Sequence, residues 1–177
     1  MAQDLKSHSD SLKFIINRYD SYYSGINFKA RFYTGLATFI ITAFIYKVEY
    51  LTNCISIKCW LYIQYGLISV TLALCFFILF KLTSSVMPYL EIGKENGIKD
   101  HSLIFFEEVA DYQSAKQYKE ALSKDEYDIN TDLANQAYLL AQGLSKKFKK
   151  LKHATHALYA TGVTVILVLI IKLISLS

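Results

Sequence analysis

The sequence predicts an all-α, multi-pass helical membrane protein. It has three transmembrane helices, a small cytoplasmic helical region, and a last helix continuous with the final span. Three observations carry this. First, 53% of the 177 residues are hydrophobic and 19% are charged, against about 25% charge in an average soluble domain. Second, the apolar residues are gathered into three blocks separated by ordinary polar sequence. Third, one Pro and seven Gly leave few helix breakers, so long helices are the default and an all-β fold is disfavoured. The same numbers exclude a disordered chain, a disulfide scaffold and a simple soluble enzyme domain.

Residues 9–28 open the pattern. Leu12, Ile15, Ile16, Tyr19, Tyr22, Tyr23 and Ile26 recur at helical spacing, which predicts an amphipathic helix running toward the first span. That span, Phe32–Tyr46, has only 15 residues. The stems of Lys29, Arg31 and Lys47 and the nearby Ile26 and Phe28 extend its apolar reach. The second span, Cys59–Phe80, has 22 uncharged residues, and about 20 suffice to cross a bilayer. Trp60, Tyr62 and Tyr65 form an interfacial belt at one end. The third, Ala154–Ile171, is closed by Lys172, which is expected to snorkel to the far interface. The boundaries expected are a cytoplasmic amphipathic helix over 1–31, a two-span hairpin over 32–80, a cytoplasmic sensor region over 81–152, and the third span with a short outer tail over 153–177.

The charge distribution sets the orientation. No apolar leader opens MAQDLKSHSDSLK, so the N-terminus is expected to stay in the cytoplasm. With three spans, sixteen of the 19 Lys and Arg then lie inside and three outside, in line with the positive-inside rule. The net charge of +4 is read as this asymmetry and not as a nucleic-acid footprint. Cys54 and Cys59 flank the short outer loop and can pair if that side is oxidising. Cys75 lies in a span and reads as a packing residue.

The region over 81–152 reads as helices. Pro88 and the Gly93–Gly97 stretch break the chain. HSLIFFEEVADY then places Leu103, Phe106, Val109 and Ala110 on one helical face. Ser114-x-x-Gln117 fits a capping box for a helix ending at Leu122, and Ser123-x-x-Glu126 fits a second. Leu133, Ala137, Leu140, Leu144, Leu151 and Leu158 follow a coiled-coil spacing. This predicts one long helix entering the third span, with Gly143 its easiest bending point. The run from Lys146 to Lys152 anchors on anionic lipid, or one or two of its Lys face a bound phosphate. A helix cannot turn all of them one way.

Catalytic motifs are absent. The chain has no G-x-x-x-x-G-K-[ST], H-E-x-x-H, G-x-S-x-G or C-x-x-C, so no enzyme activity and no cofactor are expected. His153 and His156 are spaced to share a metal, but no third ligand is evident. Glu107, Glu108 and Asp111 read as a solvated face. The blocks carry no internal charge, which argues against an ion-coupled transporter.

Two stretches carry a family resemblance. Leu103–Ala110 contains a Phe-Phe-acid segment. Asp132–Ala141 follows as Asp-x-x-x-Gln-x-Tyr-x-Leu-Ala, with Lys146-Lys147-Phe148 and Leu151 behind it. These resemble the transmembrane effectors of bacterial Pycsar antiphage systems. Phe148 stands where that family often has Tyr. The motifs cover residues 102–158 and the helix-and-span order nearly the whole chain. The SLATT-type membrane effectors share the layout and stay open as neighbours. The resemblance implies an abortive antiviral role: a partner cyclase makes a cyclic pyrimidine mononucleotide (cCMP or cUMP), and the effector responds by impairing the inner membrane. The alternative is a helical membrane adaptor or channel subunit without a nucleotide ligand. Three short spans enclose no pore alone, so a homo-oligomer is expected. The Leu133–Leu151 seam and the small residues Ala154, Ala157, Ala160 and Gly162 are its candidate interfaces.

For such a ligand the candidate contacts are six. Lys147 would meet the phosphate; Asp132 and Gln136, one helical turn apart, would supply an acceptor and a donor; Tyr138 or Phe106 would stack on the base. Adjacent Phe105 and Phe106 point about 100° apart on a helix, so one can pack while the other lines a pocket. The competing reading is that Asp132 and Gln136 cap or bridge neighbouring helices, and that the two Phe only pack.

Overall fold

The computed structural model describes residues 2–53, 58–86, 102–124 and 127–175, without the side chains of residues 2–6, Val86, Phe106 and Glu107. Pro88, the Gly93–Gly97 stretch, Cys54 and Glu126 of the second capping box lie outside the described residues. Five helices are described: α1 Ala2–Thr52, α2 Lys58–Val86, α3 Phe106–Ala110, α4 Ala115–Leu122 and α5 Ile129–Ile174. No strand occurs among the described residues. Three of them, α1, α2 and α5, are long and apolar enough to cross a membrane.

The short first span and the helix expected before it are one helix of 51 residues. With nothing to break it between Ala2 and Thr52, the apolar deficit of Phe32–Tyr46 is met by length. Helix α5 has 46 residues, about 69 Å at 1.5 Å per residue, and runs through Gly143 unbroken.

The chain divides into two compact units. A polar unit takes residues 1–25 and 88–146, and an apolar unit takes residues 26–87 and 147–177. Both α1 and α5 contribute residues to each.

The apolar unit is built on seams. On α2 the buried positions are Gln64, Ile68, Thr71, Cys75, Ile78, Leu82 and Ser85, alternating steps of four and three. On α1 they include Ile26, Ala30, Ala37, Phe44 and Leu51, and on α5 Lys147, Leu151, Ala154, Thr161, Val168 and Lys172. A mean repeat of 3.5 residues keeps one stripe of each helix facing its partners under a left-handed supercoil. Phe44, Leu51, Ile68 and Val168 form one cluster with Ile40, Leu67, Leu72 and Val165 packed on it. Ala37 and Ala154 are fully buried, because small residues let helices approach where lipid offers no hydrophobic drive. The opposite faces expose Phe28, Phe32, Phe39, Phe76, Phe80, Tyr159 and Leu173. Water would not tolerate so large an apolar surface, and a bilayer does.

Polar side chains tie the apolar unit together at the axis. Thr71 and Thr164 hydroxyl oxygens lie 2.9 Å apart. Lys150 Nζ donates to the Ser84 carbonyl and hydroxyl, both at 2.8 Å. At the end of α1, where carbonyls lack helical partners, Gln64 Nε2 donates to the Leu51 carbonyl at 3.4 Å and to Val168 at 3.2 Å. Lys172 Nζ donates to the Asn53 carbonyl at 2.7 Å and lies 4.9 Å from the Tyr50 ring centroid. The expected snorkelling of Lys172 is therefore corrected. It is 5% exposed and turns inward, because a cation is favoured at a helix C-terminus with free carbonyls.

The candidate interfaces are also redistributed. Leu133, Ala137, Leu144, Leu151, Ala154 and Ala157 are buried within this chain, since its own helices fill the seam. Ala160 and Gly162 remain exposed.

Candidate functional site

The polar unit holds one dense hydrogen-bond network, centred on residues 102–105. The sequence reading placed Leu103 and its neighbours in a helix through Tyr112. The structure instead has helix only over Phe106–Ala110. The reason is side-chain competition for the backbone. Ser102 Oγ accepts from the N–H groups of Ile104 at 3.2 Å and Phe105 at 3.0 Å. The Ser102 N–H donates to the Glu108 carboxylate. Glu108 is thus a structural acceptor and not part of a solvated acidic face.

Helix α5 grips this segment with two residues one turn apart. Asp132 Oδ2 accepts from the Leu103 N–H at 2.9 Å and from the Tyr127 hydroxyl at 2.7 Å. Gln136 Nε2 donates to Ser102 Oγ at 3.1 Å. On the other side, the Tyr118 hydroxyl donates to the Leu103 carbonyl at 2.8 Å, so both backbone groups of the buried Leu103 are satisfied. The Tyr112 ring lies 5.5 Å from that of Tyr118. A buried carboxylate is tolerated here because two donors converge on it.

The flanks are set by helix caps. Ser114 caps α4, its Oγ accepting from Gln117 N–H at 3.2 Å, while Gln117 Oε1 accepts from Gln113 N–H at 3.2 Å. The expected capping box is present, its return bond displaced by one residue, and α4 ends at Leu122. Replacing Ser114 with Ala is expected to cost about 1 kcal/mol, read as a lower melting temperature of the purified protein. Asp128 caps α5, Oδ1 accepting from Asn130 N–H at 3.0 Å and Oδ2 from the Thr131 hydroxyl at 2.6 Å. The Thr131 hydroxyl, then the Asn130 N–H, holds the Asp128 carboxyl below its ordinary range. Burial, then donation to Asp132, pushes the Tyr127 phenol well above its ordinary value, so it remains a proton donor at neutral pH.

The six candidate ligand contacts are placed as follows. Asp132 and Gln136 meet on the Ser102–Phe105 segment, and their polar groups there bond to the chain itself. Phe105 is half-buried, in extended backbone at the N-cap of α3 (φ −76°, ψ 123°). Phe106 opens α3, and its side chain lies outside the described ones. Tyr138 is 55% exposed. Lys147 is buried in the apolar unit. Of the basic run, Lys146, Lys149 and Lys152 face outward, as the helical period requires. His153 and His156 are exposed, as is Cys59.

Sequence reasoning missed Ser102, Glu108, Tyr118 and Tyr127. A Ser-x-x-Phe segment with an acid six residues on is a weak local signal, and the tyrosines act through contacts no periodicity marks. In α1, the Tyr23 hydroxyl donates to the Leu140 carbonyl at 3.1 Å, another tie invisible to local pattern.

Among the described residues, the donors and acceptors of this network bond to one another and hold the Ser102–Phe105 segment in place. Comparison with known proteins finds no matching curated protein and no matching solved structure. The pattern of the PycTM family, described as the Pycsar effector protein domain, matches residues 11–174. This takes in both motif stretches, α2, α5, most of α1 and the Asp132 network. The chain belongs to the Pycsar effector protein domain family.

Proposed function

We propose that the protein is the membrane effector of a bacterial abortive-infection system. It lies in the inner membrane with its N-terminus in the cytoplasm. A partner cyclase supplies cCMP or cUMP, and binding leads the effector to impair that membrane. The family match over residues 11–174 carries this reading. The architecture supports it: α1 and α5 each serve both the polar and the apolar unit. A ligand acts only through unequal affinity for two arrangements. The Asp132–Leu103 and Gln136–Ser102 bonds are suited to that, since a pyrimidine edge carries donors and acceptors that compete for the same groups.

Titration of detergent-purified protein with cCMP, cUMP, cAMP and cGMP tests the ligand. Saturable binding of one pyrimidine nucleotide is expected. Binding of none of the four would favour the adaptor or ligand-free channel subunit. Orientation is tested separately. Reporter fusions at residues 1 and 177 are expected to report opposite compartments, inside and outside, and same-side signals would overturn the three-span topology.

A further inference from the structure

The apolar unit, residues 26–87 and 147–177, carries ten Lys and Arg against one carboxylate side chain, Glu49. Seven of the ten gather at one end: Lys29 and Arg31 on α1, Lys81 on α2, and Lys147, Lys149, Lys150 and Lys152 on α5. Two hydrogen bonds fix their level. Lys150 Nζ on the Ser84 carbonyl ties α5 to α2 beside Lys81. Lys172 Nζ on the Asn53 carbonyl ties α5 to the end of α1. Both helices are unbroken, so 22 residues back from that bond stand Lys150 and Arg31. Cations far apart in the chain thus form one layer across three helices.

The two ends of the unit treat their cations differently. In the layer, Lys29, Arg31, Lys149 and Lys152 are exposed. At the other end, Lys47 rests 5.1 and 5.9 Å from the ring centroids of Tyr46 and Tyr50, and Lys172 is buried on the Asn53 carbonyl. The aromatic residues of that end set the depth of the layer. Arg31 and Tyr50 on α1, and Lys81 and Tyr62 on α2, are each 19 residues apart, about 29 Å of helix. That is the thickness of the hydrocarbon core of a bilayer. With exposed Tyr50 and Tyr62 at one interface, where tyrosines are enriched, the cation layer stands at headgroup depth on the other. Four of its cations also have an exposed Phe as chain neighbour: Phe28 beside Lys29, Phe32 beside Arg31, Phe80 beside Lys81 and Phe148 beside Lys149.

We propose that this layer is a docking surface for anionic phospholipid headgroups. Lipid phosphates meet Lys29, Arg31, Lys149 and Lys152, and the acyl chains lie along the four Phe rings. The pairing of charge with ring fits an amphiphile, since a free phosphate gains nothing from the rings. Lys147 is buried and Lys150 is held by Ser84, so neither belongs to the surface. An exposed cation at this depth favours an anionic membrane by about fivefold, an attraction that salt screens. Only the assignment to the cytoplasmic leaflet rests on the orientation proposed above.

The test is lipid retention. The full-length protein in dodecyl maltoside is incubated at low salt with equal amounts of dioleoylphosphatidylglycerol and dioleoylphosphatidylcholine, and the lipid that stays bound through gel filtration is quantified. Phosphatidylglycerol is expected to exceed phosphatidylcholine by about fivefold or more. Lys29→Gln with Lys149→Gln is expected to cut that ratio at least in half. Lys47→Gln with Lys58→Gln removes the same charge from the other end and is expected to leave it unchanged. Equal retention of the two lipids by the wild type overturns the docking surface. Equal losses in the two double variants reduce it to net charge and overturn its placement. Displacement of phosphatidylglycerol by inorganic phosphate overturns the lipid in favour of a soluble anion. Should a variant fail to fold, the wild-type ratio and the phosphate competition decide. Reporter fusions placing residue 1 outside would overturn the proposed orientation and leave the lipid surface standing.

Discussion

Asp132→Ala is expected to destabilise the polar unit by about 2–4 kcal/mol, because it strips two donors of their acceptor at once. The Leu103 N–H and the Tyr127 hydroxyl both converge on Oδ2. Leu103 is buried, so its amide finds no water to replace the carboxylate. The Tyr127 hydroxyl is less enclosed and contributes the smaller share. The check is the melting temperature of the detergent-purified protein together with hydrogen exchange at the Leu103 amide, which is expected to accelerate by more than tenfold. Asp132→Asn keeps a carbonyl acceptor and is expected to lose less than half as much. Unchanged exchange at Leu103 in the alanine variant would show that the segment is held by other contacts.

Ile78→Ala is the second large effect, at about 2–5 kcal/mol for a large-to-small change in a closed core. Ile78 is fully buried midway along the α2 seam. In lipid there is no hydrophobic drive between helices, so the loss comes from dispersion contacts and the cavity left behind. The paired control is Phe76→Ala on the same helix. Phe76 is 61% exposed and meets lipid whether or not the bundle is assembled, so a change under about 1 kcal/mol is expected. Unfolding in mixed micelles by increasing denaturing detergent measures both. Equal losses at the two positions would mean that α2 does not bury the Gln64–Ser85 stripe.

These two positions mark how far local pattern reaches. The helices were legible, because helix formation is a short-range matter: few breakers, long apolar runs and a Ser114 cap within three residues of its partner. The α5 seam was legible for the same reason. Leu133, Ala137, Leu144 and Leu151 repeat at a period that any partner would bury. The merger of the amphipathic start and the short first span into one helix was also present in the sequence, as the absence of any Pro from Ala2 to Thr52. The family resemblance rested on two such local stretches, and the match over residues 11–174 bears it out.

Tertiary structure decided where the polar side chains of the seams would go. Local pattern sends Lys172 outward, to a headgroup, and names no partner for Gln64 within its span. They turn inward because the unpaired carbonyls at the end of α1 need donors, and those donors come from other helices. Gln64, on α2, reaches the Leu51 carbonyl at the end of α1 and also the Val168 carbonyl on α5, 104 residues away, and Lys172 reaches Asn53, 119 residues away. The Ser102–Phe105 segment follows the same logic. Its composition favours helix, yet Asp132, 29 residues further on, claims the Leu103 amide, and Ser102 claims the next two. The sequence by itself determined which residues coil into helices and which stripes are apolar, since both depend on neighbours within one or two turns. The partners of its buried polar groups were decided only by the tertiary structure, because a hydrogen bond in a dry interior goes to whichever donor or acceptor the packing brings within about 3 Å, however distant in the chain.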